Sequence, residues 1–213
     1  MHDALTHTSV GSWRSVRGVT SDAPSVLPLC GPRLDLVSLP AELLDALIRG
    51  DRATVERLAP FRVPADFPGD GPPATGPADA LSGARALLAY RLRQIRADPG
   101  WLPWSARAVV LRGHPPVMIG YANFHGPPGI NDLGLAGAAE VGYTIFAEHR
   151  SQGYATEVAR VMLEWARREH GVTEFVSGVT PDNAPSLRVN EKLGFVPTGD
   201  VIDGERIFRL VLP

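Results

Sequence analysis

The spacing of apolar residues along the chain divides it into two kinds of segment. Arg33-Leu34-Asp35-Leu36-Val37-Ser38-Leu39 alternates with a period of two, which predicts a half-buried strand. Pro40 then opens a helical pattern with Leu43, Leu44 and Leu47 on one face and Gly50 as its stop, and Asp51 can cap a second short helix ending near Pro60. The Pro/Gly-rich stretch between Phe61 and Pro77 reads as loop and is a candidate lid. A longer helix is expected from Ala78 to Ala97. After Pro99-Gly100 the period changes. Ala106–Arg112, Val117–Phe124 and Ala139–Phe146 read as three strands of a meander, with Gly-rich loop over Asn131–Ala138. Gly153–His170 carries one apolar stripe (Ala155, Val158, Ala159, Met162, Trp165, Ala166) and is the clearest helix in the sequence. A strand over Glu174–Thr180, a short helix over Asn183–Leu193 and two strands from Phe195 to Leu212 complete the pattern. The expected fold is α+β, a mostly antiparallel sheet with helices on its faces.

Composition narrows the function classes. The 213 residues are 44% apolar and 21% charged, ordinary for a globular protein with a sizeable core. A net charge of −2 gives no electrostatic footprint for nucleic acid or an anionic membrane surface, so neither is expected as a partner. No run of about eighteen apolar residues predicts a spanning helix. Met1–Leu29 lacks the apolar segment of a secretory signal, so a cytoplasmic location is expected. Cys30 is the single cysteine, which removes an intrachain disulfide framework and any multi-thiolate metal site, and no metal is expected. Residues 1–31 are polar and without clear periodicity and read as a loosely ordered extension.

Chemistry concentrates at two places. Arg150-Ser151-Gln152-Gly153-Tyr154-Ala155 joins a strand to the clearest helix. Glycine there permits a backbone bend and close ligand approach, and the first helical amides have no intrahelical acceptor. The helix dipole and Arg150 add positive potential, so the turn suits a pyrophosphate. The second place is the helix Asn183–Leu193, whose less charged side collects Ser186 and Asn190 beside Leu187, Val189 and Leu193. Polar groups on an inward face need partners, which backbone or a ligand can supply. His125 and His149 lie near these segments, and the Trp101/Trp104 pair either packs a corner or walls an acceptor site.

The order Glu140-Val141-Gly142-Tyr143, Arg150-Ser151-Gln152-Gly153-Tyr154-Ala155-Thr156-Glu157, Asn183-x-x-Ser186 and Glu191-Lys192-Leu193-Gly194-Phe195 resembles the GNAT superfamily of N-acetyltransferases, most closely its ribosomal-protein-alanine acetyltransferase-like branch. Pro32-Arg33-Leu34-Asp35-Leu36 resembles that branch's opening strand.

That resemblance implies a single N-acetyltransferase domain over 32–213, with a centrally splayed mixed sheet and helices on both faces. It implies acetyl-CoA as cofactor and transfer of its acetyl group to a primary amine by direct attack in a ternary complex. The acceptor is left open between a protein N-terminus, a lysine and a small amine, and the protein is expected as a monomer or homodimer. By resemblance Arg150, Gln152, Gly153, Tyr154 and Ala155 hold the pyrophosphate. Ile145 and Phe146 present amides to the cofactor from the splayed strand, and Asn183 contacts it. Glu140 takes the place of the general base, with His125 as the alternative. Many relatives carry a Tyr just before the E-K-L-G-F run as general acid. Here that residue is Asn190, and Ser186 inherits the proton-donor role. The rival reading is a catalytically weak acyl-CoA-binding regulatory or scaffold module of the same fold.

Overall fold

Residues 26–69 and 83–213 are described by a computed structural model of the chain. The strands are β1 (Leu29–Cys30), β2 (Leu34–Ser38), β3 (Arg107–Leu111), β4 (Val117–Phe124), β5 (Ala139–Ile145), β6 (Glu174–Val179), β7 (Val196–Ile202) and β8 (Glu205–Val211). They form one eight-stranded sheet in the order β1-β2-β3-β4-β5-β6-β8-β7. Neighbours run antiparallel except β5 and β6, which are parallel. The expected loose extension ends sooner than residue 31: Leu29 and Cys30 pair with Leu36 and Asp35, and Leu29 is buried. Residues 1–25 of that extension, and the expected helical residues 78–82, lie outside the described residues.

The helices are α1 (Ala41–Arg49), α2 (Arg52–Leu58), α3 (Gly83–Ala97), α4 (Tyr154–His170) and α5 (Ala184–Leu193). Period-two alternation sends adjacent strand residues to opposite faces. Met118 and Val110 therefore join Leu43, Leu44, Leu47, Leu88 and Leu92 of α1 and α3 in one core. Ile119 and Val109 join Val158, Met162 and Ala166 of α4 in the other. The α4 stripe is the expected one, with Tyr154 and Leu163 also buried on it. Three of the helices, α1, α4 and α5, stop at a left-handed glycine: Gly50, Gly171 and Gly194 take φ of 71°, 67° and 85°.

Trp104 packs against Phe124, Trp165 and His170 in the α4 core, the corner-packing alternative for this residue. Phe67, in the described part of the Phe61–Pro77 loop, is buried against Tyr121 and Phe146, so this part of the loop is an anchor. Among the described residues no helix is long and apolar enough to cross a membrane.

Candidate active site

The sheet opens where β5 and β6 part. Their only paired positions are Ala139 with Phe175 and Glu140 with Val176, at the start of both strands. Beyond Glu140 the two diverge. On the other edge of β5, the Glu140 carbonyl accepts from His125 N–H and the Phe146 N–H donates to the Ile119 carbonyl, both at 2.9 Å. In an antiparallel ladder these bonded positions recur every second residue. The amides of Gly142, Thr144 and Phe146 therefore face β4, and those of Tyr143 and Ile145 face the opening. This corrects one expectation: adjacent amides cannot both face a cofactor, and Phe146 is the one committed to β4. Its ring also points away, into the α1–α3 core against Phe67 and Tyr121.

A groove of about 780 Å3 occupies the opening between the ends of β5 and β6, the N-terminus of α4 and the start of α5. Its floor at α4 is a turn with two left-handed residues, Ser151 at φ 61° and Gly153 at φ 81°. The first intrahelical bond of α4 runs from Glu157 N–H to the Gly153 carbonyl at 3.2 Å. The amides of Tyr154, Ala155 and Thr156 are thus left without helical acceptors, at the positive end of a 17-residue helix. Arg150, Arg188 and Lys192 line the groove, and Asp182 is the acid among its lining residues. A polyphosphate fits this donor set and this charge.

Arg33 fixes the turn from outside. Its Nε lies 2.8 Å from Glu157 Oε2, its Nη1 donates to the Gln152 carbonyl at 3.0 Å, and its guanidinium sits 4.5 Å over the Tyr154 ring. Glu157 Oε1 accepts in addition from the amides of Arg33 and Leu34, at 2.7 and 3.2 Å. Arg150 Nε donates to the Ile145 carbonyl at 3.0 Å, which tethers its charge to the end of β5. Ile145, Arg150, Gly153, Tyr154, Ala155, Asn183 and Ser186 all line the groove, as does His149. Gln152 is not among the lining residues, and its backbone carbonyl accepts from Arg33. Asn183 caps α5, its side chain accepting from Ser186 N–H at 3.2 Å, so only its Nδ2 remains for a ligand.

A second, smaller cavity of about 210 Å3 adjoins the groove and contains Glu140. The two share Tyr143, Thr180, Asn183 and Ser186. Glu140 is 1% exposed. Its Oε2 accepts from Asp132 N–H at 2.7 Å and lies 3.4 Å from His125 Nδ1, while Oε1 has no hydrogen-bond partner. His125 is half-exposed, and its carbonyl is held by Arg91 Nη1 at 2.7 Å. Asn190 is buried, and its Oδ1 accepts from Ser177 Oγ at 3.3 Å.

The structure adds residues that the sequence pattern did not single out. Tyr143 stands at the junction of groove and cavity, its phenol pushed above the usual range by burial and pulled partly back by hydrogen bonding from Ser186. Glu205 lines the cavity from the β7–β8 hairpin. Burial holds its carboxyl above the usual range, with the negative charges of Asp132 and Glu140 adding to the effect. Asp132 is raised in the same way, by burial first and then by Glu140. The E-V-G-Y run contained the signal for Tyr143. No local signal marks Glu205, 65 positions from Glu140 in the sequence.

The profile of the acetyltransferase (GNAT) domain matches residues 33–196. The uncharacterised N-acetyltransferase YjdG of Bacillus subtilis is 24% identical over 164 residues, covering 77% of this chain and 86% of its own. In structure the chain is similar to the ribosomal-protein-S5-alanine acetyltransferase of Vibrio fischeri, with a TM-score of 0.54, 15% identity and coverage of 87% and 97%. It is also similar to the microcin C7 self-immunity acetyltransferase MccE, solved with acetyl-CoA and AMP, with a TM-score of 0.53, 15% identity and coverage of 89% and 97%. A fold splayed at β5/β6, a polyphosphate-sized turn at α4 and a domain match spanning most of the chain converge: the protein belongs to the GNAT acetyltransferases and is an acetyl-CoA-dependent N-acetyltransferase.

Proposed function

We propose that residues 32–213 act as one domain that brings acetyl-CoA and a primary amine together at the β5/β6 splay and transfers the acetyl group directly between them. The observation that carries this reading is the shared wall. The basic groove and the cavity of Glu140 meet at Tyr143, Thr180, Asn183 and Ser186, so two ligands entering from opposite ends meet there.

The amides of Tyr154, Ala155 and Thr156, with Arg150, hold the pyrophosphate, and the outward amides of Tyr143 and Ile145 pair with the pantetheine arm as an added strand would. Bound acetyl-CoA supplies a thioester whose carbonyl carbon takes the amine nitrogen as the C–S bond breaks and thiolate leaves. Glu140 accepts the proton that the ammonium must lose. A lysine-like amine with pKa about 10.4 is only about one part in 2,500 neutral at pH 7, so this step is worth about 4–5 kcal/mol for such an acceptor. For an α-amine of pKa about 7.7 the demand is far smaller. Oε1 of Glu140, without a partner in the folded chain, is the lone-pair site that would take this proton.

At the other end Tyr143 and Ser186 supply hydroxyls to the departing sulfur. A phenol is protonated at neutral pH and burial pushes that of Tyr143 further up, so it enters the reaction as a donor. The hydroxyl absent at Asn190 is thus replaced by Tyr143 from β5 together with Ser186, one turn earlier on α5.

The test is acetyl-CoA turnover on a panel of amines, followed by free-thiol release and product mass. Thiol release that depends on amine and yields an N-acetylated product supports the reading. Release without an acetylated amine contradicts it.

A further inference from the structure

The two cavities carry opposite charge. Arg150, Arg188 and Lys192 line the groove, whereas the smaller cavity has two carboxylates, Glu140 and Glu205, and neither Arg nor Lys in its wall. Asp132, exposed and just outside the wall, is a third acid beside it: one ligand atom each from His125, Asp132 and Glu140 fall within 4.8 Å of one another. Among the described residues, no Lys or Arg forms an ion pair with Asp132, Glu140 or Glu205. With a single ammonium at Glu140, the other two carboxylates would have His125 as the one other group near them, among the described residues, able to carry positive charge.

The backbone is built to put Glu205 there. Asp203 and Gly204 take φ of 49° and 84°, the two left-handed positions of a tight hairpin turn, and Glu205 closes it against Ile202. Opposite, on β6, a Cβ at Gly178 would collide with the Glu205 carboxylate, so the absent side chain is the space the carboxylate fills. Glu140 points to a ligand independently: it is 1% exposed, it lines the cavity, and its Oε1 has no partner. A cavity of about 210 Å3 is smaller than the roughly 300–1,000 Å3 of drug-sized sites, so it takes a small acceptor.

We propose that the acceptor is a small aliphatic di- or polyamine, whose reacting nitrogen faces Glu140 while a second ammonium is held by Glu205 and Asp132. This rests on the acetyl-transfer reading above and specifies its acceptor. The balance is unchanged: one nitrogen loses its proton to Glu140 and gains the acetyl group, and the distal ammonium stays charged throughout.

The test compares 1,4-diaminobutane and spermidine with pentylamine, in which a methyl replaces the second ammonium, and with a short peptide having a free N-terminal alanine and no other charge. The readout is kcat/KM by thiol release with the full chain. Because Asp132 is exposed and Glu205 only partly buried, the charge contact predicts about a 5-fold preference for the diamines over pentylamine. Glu205→Gln and, as a second variant, Asp132→Asn each bring the diamine value down toward that of pentylamine. Equal rates for diamine and pentylamine, faster turnover of the peptide, or an unchanged ratio in both variants overturn the proposal while leaving acetyl transfer in place. So does saturable binding of Zn2+ or Mn2+ that Asp132→Asn abolishes and that inhibits the reaction, since the acids would then serve a metal. No turnover of any of these amines overturns it too, and a retained acetyl-CoA-dependent rise in melting temperature would then show that the groove still binds. Loss of that rise as well would count against the site reading itself.

Discussion

Arg33 Nε lies 2.8 Å from Glu157 Oε2, and through this pair the residue preceding β2 locks the first turn of α4. Half-exposed ion pairs contribute little to global stability. Here the geometry matters more than the energy, because the same guanidinium also holds the Gln152 carbonyl and covers Tyr154. Arg33→Ala is expected to weaken CoA binding several-fold, measured by calorimetry, with a melting temperature within a few degrees of wild type. Glu157→Gln should do the same, and the double variant should be less than additive, since both act on one turn.

Gly153 is the second point at which the groove depends on backbone. Its φ of 81° belongs to the left-handed region, where a β-branched residue is strained by about 1–3 kcal/mol. Gly153→Val should lower the melting temperature of the free protein by several degrees. More tellingly, it should remove the stabilisation that acetyl-CoA gives by mass action. A thermal-shift titration reads both effects. An unchanged ligand shift would move the pyrophosphate to another site.

The raised carboxyl of Glu205 makes a prediction about stability and pH. A group held above its ordinary value costs the fold nothing below its unfolded pKa, where it is protonated in both states. That cost builds as the pH rises above the unfolded value and is complete once the pH has passed the raised folded one. Glu205→Gln should therefore raise the melting temperature at neutral pH, and the gain should vanish as the pH falls below about 4. Melting curves from pH 3.5 to 8 test this, and a gain that grew toward acid would reverse the sign of the argument.

Much of this site was legible before the structure. The glycine-bearing turn, the apolar stripe of α4, the cap at Asn183 and the Glu140 strand are local patterns, and local patterns survive folding because neighbours in sequence impose them. Phe146 was misplaced because resemblance locates a splayed strand without fixing its phase. Only the hydrogen bond to Ile119 decides which alternate amides face out. Glu205 and Asp132 were invisible for another reason. Each reads as a turn or loop acid, and only the placement of β8 between β6 and β7 brings Glu205 into the cavity of Glu140, close to Asp132. The order of those last strands is a long-range property that no periodicity in β7 or β8 carries.

Tyr143 and Ser186 bound the importance of acid catalysis. A thiol of pKa about 8.5 is disfavoured as thiolate at pH 7 by about 2 kcal/mol, or about 30-fold. Tyr143→Phe should therefore lower kcat by no more than about 30-fold, with Ser186→Ala smaller, and both deficits should shrink above pH 8.5. Steady-state kinetics at pH 7 and pH 9 distinguish this from a loss of acetyl-CoA affinity, which would show in KM at both.

The proposed transfer turns on Glu140 as the group that takes the amine proton. Its most direct test is the pH–rate profile of Glu140→Gln on whichever amine the wild-type protein acetylates, with acetyl-CoA binding followed in parallel. The variant should bind acetyl-CoA as tightly as wild type, lose most of its turnover at pH 7 and recover it as the pH approaches the amine's own pKa. Wild-type rates across the whole range would contradict the assignment and pass the role to His125, 3.4 Å away.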